Sequence, residues 1–394
     1  MNQPVRTAIV GASNRSIAFA EFIAANPDRC RLVAIFDLRR KKAQVLRDYS
    51  KLDAQIYDDY AALLAHKDID AVIITTPDYA HVTPAVLAIK AGKHIYLEKP
   101  LATTLEDCDK IIAAAKGSKQ ICYLGFNMRH SPIHEKIHEL IRADNLGKLT
   151  TIEANEYYYG GKTYFRRWNR LREFGGGLWL TKACHDFDLL TWLAGGKPKS
   201  LYAMSSLSHY KTAPGVGPRC RDCDIKNTCP DFYNIFKPVD GWLEERRKLH
   251  LLMEKHGESS PDICLFNSDK DTFDNGIVVV EYDNDVRATY TVNVIAARNT
   301  RQIRIVGTDG MVEGDTEHGL VQFTQRHTGK ITTYDLRKES EGTHGGADPK
   351  IFSDFFNVCL NGGTPRSGLE DGRLAVKLSV AATTSCDTGT VIKF

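Results

Sequence analysis

Apolar runs alternate with amphipathic stretches over the first 125 residues. Runs rich in Val, Ile and Ala predict strands at 5–10, 32–36, 71–75, 94–97 and 120–125. Helical spacing of apolar residues predicts helices between them at 16–25, 40–49, 81–91 and 105–115. Strands that alternate with helices in this way are typical of a doubly wound parallel sheet, so the sequence predicts a Rossmann domain.

The pattern changes after residue 128. Helices are predicted at 131–143, 177–193, 349–361 and 369–385. Longer strands are predicted at 149–159, 276–282, 286–294, 302–306, 319–325 and 331–336. Long strands linked by turns favour an open, largely antiparallel sheet. The fold prediction is therefore α/β, with a Rossmann domain over 1–128, an α+β domain over 129–394 and a Cys-rich insertion near 207–270.

Length and composition agree with a two-domain globular chain. The chain has 394 residues, of which 42% are hydrophobic and 26% charged, and this length is more than one ordinary core accommodates. The net charge of +3 gives no reason to expect nucleic acid or an anionic membrane as a partner. The sequence has no apolar run of the roughly 20 residues that a membrane helix needs. The opening MNQPVRTAIVGAS has no apolar signal core, so a cytoplasmic location is expected.

The first strand leads into a turn with glycine at its start. Gly11 meets the need for a sharp bend, and Ser13 and Ser16 stand where further glycines are usual. Such a turn brings backbone and a helix N-terminus to a pyrophosphate. The predicted cofactor contacts here are Gly11, Ala12, Ser13, Asn14 and Arg15. Taken alone, the same turn also fits a tight bend that feeds any helix.

Two further features favour a dinucleotide. Asp37 ends the second strand, about 20 residues beyond the turn, where a carboxylate binds ribose hydroxyls and favours NAD. Arg39 and Arg40 follow directly and suit a 2′-phosphate, so NADP stays open. The second feature is the segment Thr75-Thr76-Pro77, which ends a buried strand at the edge where such ligands bind.

Several longer stretches carry a family resemblance. They are TTPDYAH (75–81), AGKHIYLEKPLA (91–102), GFNMRHSP (125–132) and GGGLWLTKACHDFDLLTWLAG (175–195). With these stretches the chain resembles the glucose-fructose oxidoreductase / inositol dehydrogenase / rhizopine catabolism (Gfo/Idh/MocA) family. The resemblance implies a C-terminal sheet that forms the substrate floor and often an oligomer interface. It also implies cofactor contacts by His81, Glu98, Lys99 and Asn127.

The resemblance implies the catalytic roles as well. Lys99 of the Glu98-Lys99-Pro100 segment would stand beside the reacting hydroxyl, and a lysine near a nicotinamide is expected to have a lowered pKa. His185 would be the general acid/base, since oxidation of an alcohol requires removal of its proton. Family members usually have an Asp four residues before this His, whereas this chain has Thr181. We expect Lys182, Asp186 or Asp188 to take part of that task.

An aromatic and basic segment at 157–170 is predicted to face the substrate. Tyr158 and Tyr164 are candidates for abstracting a proton, and Arg129, Arg166, Arg167, Trp168 and Lys182 for binding the substrate. Four arginines within 166–172 also suit a carboxylate or phosphate, so an anionic sugar is one expectation. Salt bridges to acidic neighbours such as Glu173 explain the same arginines.

Three functions are consistent with these features. The first is an NAD(P)-dependent dehydrogenase of a sugar or glycoside, acting on the 3-hydroxyl. The second, suggested by similarity to relatives acting on glycosides, is an NAD-dependent glycosidase that oxidises this carbon transiently, eliminates the aglycone, adds water and re-reduces. The third is a non-catalytic nucleotide sensor, against which Lys99 and His185 argue. The partners expected are the substrate and further copies of this chain, joined through the C-terminal sheet.

The insertion carries closely spaced cysteines. Cys220, Cys223 and Cys229 lie within ten residues, and Cys264 is the natural fourth member. Four thiolates at this spacing predict a structural zinc site. An iron–sulfur cluster, free thiols and disulfides are the alternatives.

Overall fold

The computed structural model describes residues 3–241, 243–244, 247–248, 250–251, 260–342 and 344–394. Residues 252–259 of the predicted insertion therefore lie outside the described residues. The first domain contains six strands. They are β1 Val5–Val10, β2 Cys30–Phe36, β3 Gln55–Tyr57, β4 Ala71–Ile74, β5 His94–Leu97 and β6 Cys122–Leu124.

These strands form one parallel sheet in the order β3-β2-β1-β4-β5-β6. Helices cover both faces, which explains the continuous apolar runs of the central strands. They are α1 Asn14–Ala25, α2 Arg40–Ser50, α3 Tyr60–Ala65, α4 Val82–Lys90 and α5 Leu105–Ala115. The strand order reverses between β1 and β4, so a ligand site is expected at the carboxyl ends of these two strands.

The second domain is built on nine strands. They are β7 Leu149–Tyr157, β8 Pro198–Ser206, β9 Asn275–Tyr282, β10 Arg287–Asn293, β11 Thr300–Gly307, β12 Gly310–Asp315, β13 Leu320–Gln325, β14 Ile331–Asp335 and β15 Ile392–Lys393. Their order is β14-β13-β12-β11-β7-β10-β9-β8-β15, and every neighbouring pair is antiparallel except β7 and β10. The predicted α/β class with a Rossmann sheet and a largely antiparallel sheet is confirmed.

The remaining helices cover one face of this sheet and reach the first domain. They are α6 Pro132–Arg142, α7 Arg172–Gly175, α8 Leu178–Thr181, α9 Cys184–Ala194, α10 Ala347–Asn361 and α11 Leu369–Thr388. Helix α10 packs Ile351, Phe352 and Phe355 into the core around β1 and α1, so a segment late in the sequence completes the first domain. On the other face of the sheet Met204, Ile277 and Val279 are exposed.

The single helix predicted over 177–193 is interrupted. Helix α8 ends at Thr181 and α9 begins at Cys184, with Lys182 and Ala183 between them. Both helices are almost entirely buried, so the apolar pattern continues through the break and does not reveal it. The break places His185 in the first turn of α9.

Candidate active site

The turn after β1 lies against the end of β4. Gly11 has a φ of 92°, and a Cβ on it would lie 2.7 Å from the backbone nitrogen of Thr76. Glycine is therefore required both by the backbone conformation and by the close approach. The Thr75 hydroxyl donates to the carbonyl of Gly11 over 2.5 Å and fixes this approach.

Asp37 ties the turn to the end of β2. Its carboxylate accepts the backbone N–H groups of Ala12 and Arg39, each over 2.8 Å. Among the described residues, the buried Ser13 hydroxyl at the start of α1 has no hydrogen-bond partner. A glycine without room for a side chain, a carboxylate beside it and a free hydroxyl at a helix N-terminus fit a dinucleotide. Ala12 and Asn14, which are also predicted cofactor contacts, lie in the same turn.

Arg15 is turned away from the solvent. It forms ion pairs with Glu98 at the end of β5 and with Asp348 of α10, the latter over 2.8 Å. Its guanidinium also lies over the Phe352 ring. This residue joins the cofactor turn to two other segments of the site, a link that the sequence pattern does not contain.

His81 bridges two strand ends. One ring nitrogen lies 2.7 Å from the carbonyl oxygen of Pro100, and the other lies 3.1 Å from that of Thr76. The imidazole therefore holds the Thr75-Thr76-Pro77 segment and the Lys99 segment together. His81 is buried, and its contacts are those of a positioning residue.

Lys99 connects the two domains. Its ammonium group donates to the carbonyl oxygen of Thr181 over 2.9 Å. Burial lowers the pKa of Lys99, but the acidic groups of Cys184, Tyr164, Asp78 and Glu98 together outweigh it, so the pKa lies above its ordinary value. The lowered pKa expected from sequence referred to a lysine beside the positively charged nicotinamide ring, and for that case it stays a prediction.

His185 lies four residues beyond Thr181 and is only 6% exposed. Its Nδ1 has no hydrogen-bond partner among the described residues. Burial, and then the positive charge of Lys99, hold the pKa of His185 well below its ordinary value. The imidazole is therefore neutral near pH 7, with one of its two ring nitrogens unprotonated.

Asp78 is a carboxylate that the sequence reasoning missed. It is buried at the end of the Thr75-Thr76-Pro77 segment, and its Oδ2 has no partner among the described residues. Burial raises the pKa of Asp78, while the nearby Lys99 lowers it. Its position within TTPDYAH was the available signal. A carboxylate of the first domain thus lies near Lys99 and Thr181.

The tyrosines predicted for substrate lie beside this centre. The rings of Tyr158 and Tyr164 are 6.4 Å apart, and the Lys182 ammonium lies 4.2 Å from the centre of the Tyr158 ring. Lys182 also forms an ion pair with Glu156 over 2.6 Å. Its charge is therefore already matched by a carboxylate.

Asp186 lies in the same buried network. It accepts a hydrogen bond from the Tyr290 hydroxyl over 2.8 Å and pairs with Arg301 over 3.1 Å. Burial raises the pKa of Asp186 to about 7. Its recorded partners are Tyr290 and Arg301 rather than His185, so it does not take the orienting task expected of it.

Most of the basic segment binds the protein itself. Arg166 donates to the Cys220 sulfur and to the carbonyl oxygens of Ile263 and Asp231. Arg170 pairs with Asp269, and Arg172 with Asp387. The salt-bridge interpretation explains Arg170 and Arg172, although their acidic partners are not Glu173. The substrate role expected of Arg166 is not supported, because both its terminal nitrogens bind the insertion.

Arg167 and Trp168 remain near the aromatic residues. Arg167 donates to Thr163 and lies over the Tyr164 ring, 5.6 Å from its centre. Trp168 packs edge-to-face against Tyr79 of the first domain. These two side chains keep a surface on which a sugar ring can stack.

Arg129 was expected to face the cleft, and the structure places it elsewhere. It binds Asp188 of α9 in a bidentate manner, contacts Asp371 over 3.0 Å and donates to the carbonyl oxygen of Arg366. This contact is buried, and every guanidinium nitrogen has a partner. Asn127 donates to Asp348 over 2.9 Å, which brings the GFNMRHSP segment to α10.

Among the described residues, no three sulfurs of the insertion cysteines lie within 4.8 Å of one another. Backbone bonds from Cys220 to Asp262 and from Cys264 to Pro218 bring the two halves of the insertion together. Within the described part of the chain, however, the one group of three metal-ligating side chains with ligand atoms inside 4.8 Å is exposed Asp315, Glu317 and His318. Zinc requires sulfurs that close around one point. The predicted zinc is therefore not supported by this arrangement.

His344 is the second functional candidate that the sequence reasoning missed. It lies between β14 and α10, and its Nδ1 is 2.9 Å from Asp348. The centre of its ring lies 6.4 Å from that of His185. A histidine followed by two glycines in a predicted loop was the only signal.

Comparison with known proteins supports the same architecture. Residues 5–126 match the oxidoreductase family with an NAD-binding Rossmann fold, and residues 138–394 match the C-terminal alpha/beta domain of that family. The chain belongs to the Gfo/Idh/MocA oxidoreductase family. The resemblance noted from sequence is confirmed, and with it the NAD-binding Rossmann domain.

Individual relatives are more distant. YteT of Bacillus subtilis strain 168, named as an oxidoreductase, is 28% identical over 82% of this chain and 79% of its own. An inositol 2-dehydrogenase of Salmonella typhimurium strain LT2 is 29% identical over 41% of this chain and 46% of its own. A levoglucosan dehydrogenase solved with NADH and levoglucosan has a TM-score of 0.78 at 17% identity and covers 99% of both chains. At that identity the likeness concerns the fold. No helix within the described ranges has the length and hydropathy to cross a membrane.

Proposed function

We propose that this protein is an NAD-dependent dehydrogenase that oxidises a hydroxyl group of a sugar or a related polyol. The observation that carries the proposal is the contact between Lys99 of the first domain and Thr181, four residues before His185 of the second. It joins an ammonium group and a neutral imidazole at the carboxyl edge of the Rossmann sheet. The relatives that act on inositol and levoglucosan support the substrate class.

Each residue of the site has a distinct role in the proposed reaction. NAD⁺ supplies the hydride acceptor when it is bound. The Lys99 ammonium hydrogen-bonds the substrate oxygen and stabilises negative charge that develops there. His185, neutral near pH 7, takes part in moving the hydroxyl proton. Tyr158, Tyr164, Arg167 and Trp168 are proposed to hold the sugar ring, and the glycoside resemblance supports the 3-hydroxyl as the group that reacts.

A neutral substrate fits this site better than an anionic one. Arg166, Arg170 and Arg172 are paired within the protein, and Lys182 is matched by Glu156. Arg166 and Arg167 have no carboxylate partner in the described residues: Arg166 donates to a sulfur and two carbonyl oxygens of the insertion, and Arg167 donates to Thr163. Arg167 alone among these four arginines has neither a carboxylate nor the insertion as its partner, so the segment offers an anionic substrate one cation rather than four.

The cofactor preference is proposed to be NAD rather than NADP. Asp37 points its carboxylate to the turn and would repel a 2′-phosphate. Arg40 is already paired with Asp58, so it does not offer an unmatched charge. Binding of NADH and NADPH to the purified protein, compared by fluorescence titration, measures this preference.

A glycosidase that recycles NAD is the second candidate. His344 favours it, because elimination and water addition need more proton-transferring groups than a single oxidation. One incubation separates the dehydrogenase from the glycosidase. The protein is mixed with NAD⁺ and with myo-inositol, levoglucosan or a p-nitrophenyl glucoside. NADH that accumulates with product indicates the dehydrogenase, whereas p-nitrophenol release without NADH accumulation indicates the glycosidase. If none of these sugars gives either signal, both candidate functions are contradicted.

The exposed sheet face is proposed to join copies of this chain. Met204, Ile277 and Val279 are neighbours on β8 and β9 and are each more than two-fifths exposed. Contiguous apolar side chains on a sheet face are typical of a protein interface. Light scattering of the wild type should give a multiple of the monomer mass, and Ile277→Asp should lower it.

A cytoplasmic location is also part of the proposal. All ten cysteines, each within the described residues, are unpaired. Free thiols are typical of a reducing compartment. Fractionation of cells that express the protein tests this.

A further inference from the structure

The loop that carries His344 has a restricted shape. His344 itself has a φ of 51°, and Gly345 and Gly346 follow with φ of 60° and 76°. A Cβ on Gly346 would lie 2.0 Å from the carbonyl oxygen of Glu339. Three successive residues in the left-handed region place the imidazole in one position relative to α10.

Asp348 fixes the orientation of that imidazole. One carboxylate oxygen lies 2.9 Å from His344 Nδ1, and the other accepts from Asn127 and Arg15 over 2.9 and 2.8 Å. Burial alone would raise the pKa of Asp348, but the bond from His344 and the charge of Arg15 hold it well below its usual range. An ionised carboxylate requires the N–H of His344 to be at Nδ1, which leaves Nε2 as the acceptor.

The His344 ring lies close to that of His185, with the two ring planes inclined at 46°. Their ring centres are 6.4 Å apart. A direct hydrogen bond between two imidazoles brings the centres to about 5 Å, so the two rings do not bond directly. Nitrogens on the facing sides of the two rings would be about 4 Å apart, so an oxygen to one side of the line between them, such as that of a substrate hydroxyl, can lie within hydrogen-bond distance of both.

The two imidazoles differ in support. Position 181 holds a threonine, and His185 Nδ1 has no hydrogen-bond partner in the described residues. His344 has the carboxylate that orients a general base in acid–base catalysis. The imidazole with the usual partner of a catalytic base is therefore on the loop before α10.

We propose that His344 is a catalytic acid/base residue of this site. This inference rests on the proposed function. As the substrate carbon is oxidised, its hydride passes to NAD⁺ and its hydroxyl proton passes to His344 Nε2. The carbonyl group forms, NADH is the reduced product, and His344 becomes a cation stabilised by Asp348. His185 holds the substrate oxygen from the opposite side.

The test uses variants that keep the loop conformation. Asparagine and glycine both tolerate a left-handed backbone, so His344→Asn and His344→Gly remove the imidazole without forcing the chain to move. The matched control is His327→Asn on an exposed loop. With the sugar found to reduce NAD⁺, both His344 variants should lose about 100- to 1,000-fold in kcat. KM and NADH affinity should stay near those of the wild type, and added imidazole should restore activity to His344→Gly. A His344→Asn variant that keeps a third of wild-type kcat would overturn the proposal.

A second measurement does not depend on turnover. The ¹⁵N shifts of the histidine ring nitrogens distinguish the two neutral tautomers, and His344 should carry its proton at Nδ1. Its signal is assigned by its loss in His344→Asn. A proton at Nε2 would overturn the proposal even if the enzyme is active. If no sugar reduces NAD⁺ while His344 has the expected tautomer, the proposed function fails and the described geometry stands.

Discussion

Two cations with little exposure lie near the junction of the domains, and they differ in what surrounds them. Lys99 contacts Thr181 and has near it two polar atoms without a partner among the described residues, Asp78 Oδ2 and His185 Nδ1. Arg129 contacts Asp188, and all its nitrogens are bonded within the protein. Buried polar groups without partners are costly. The difference indicates that the Lys99 region is built to be completed by a ligand, whereas the Arg129 region is complete and structural.

The largest expected effect is on turnover at the first region. Lys99→Met should lower kcat/KM by about a thousandfold, because it removes a charged donor aimed at the reacting oxygen. The free energy of unfolding should change little. Lys93→Met is the matched control, since Lys93 is also buried but donates to the carbonyls of His66 and Ile69. It should lower stability and leave kcat/KM unchanged. Equal losses of kcat/KM in the two variants would remove the distinction.

The next effect is on stability at the second region. Arg129→Met leaves Asp188 buried without its partner and should lower the free energy of unfolding by about 3 kcal/mol or more. The kcat of the folded fraction should stay within about twofold of the wild type. Urea denaturation and the same activity assay measure the two quantities. Arg304→Met, which breaks an exposed pair with Glu313, should cost less than about 1 kcal/mol. A large loss of kcat in Arg129→Met would show that this cluster also serves the reaction.

The sequence predicts this contrast only in part. Periodicity gives five of the six strands of the first sheet and four of its five helices, because consecutive apolar residues leave little choice of structure, but it misses the short β3 and α3. It does not give β8, whose run PKSLYAMSS has weak alternation, or the break between α8 and α9. Whether a charged residue meets a ligand or a distant segment depends on tertiary packing. Arg166 and Arg129 were therefore assigned to the substrate on residue type alone.

The missed residues have the same cause. Asp78 lies in the TTPDYAH stretch, where the sequence analysis selected other residues. Its importance comes from its proximity to Lys99, which is distant in sequence. The role proposed for His344 depends on its contact with Asp348 and on its proximity to His185, which lies some 160 residues earlier in the chain. Single polar residues in loops carry no periodic signal. The cysteines show the opposite case. Their local spacing suggested metal ligands, but the fold does not bring their sulfurs together.

Asp37 shares one feature with the Arg129 region and one with the Lys99 region. Both its oxygens are bonded to backbone N–H groups, yet its place at the end of β2 suits a ribose. If it binds the cofactor, Asp37→Asn should weaken NADH binding by about 10- to 100-fold, the effect of losing a hydrogen bond to a charged group. Asp58→Asn, at an exposed pair with Arg40, is the control. Unchanged NADH affinity together with lower stability would place Asp37 with the structural groups.

The smallest expected effect is on the pH dependence of stability and concerns a buried histidine. This histidine is an exception to the contrast between the Lys99 and Arg129 regions. His134 on α6 is fully buried, and its Nε2 has no partner among the described residues, although it is outside the proposed site. Burial lowers the pKa of His134 to about 3. Because the unfolded chain binds this proton near pH 6.5, the stability from the neutral ring is complete above pH 6.5 and is lost as the pH falls toward 3.

The prediction for this group is a change of slope. Between pH 6 and pH 5 the free energy of unfolding of His134→Leu should fall by about 1 kcal/mol less than that of the wild type, because one proton no longer distinguishes the two states. Asp186 shifts stability in the opposite direction but does so equally in both proteins, and the exposed His327→Leu should keep the wild-type slope. If the slope of His134→Leu is unchanged, His134 already binds a proton in the folded protein. Its Nε2 would then donate to a group, and an unpartnered buried atom would no longer be sufficient to mark the side of the protein that a ligand completes.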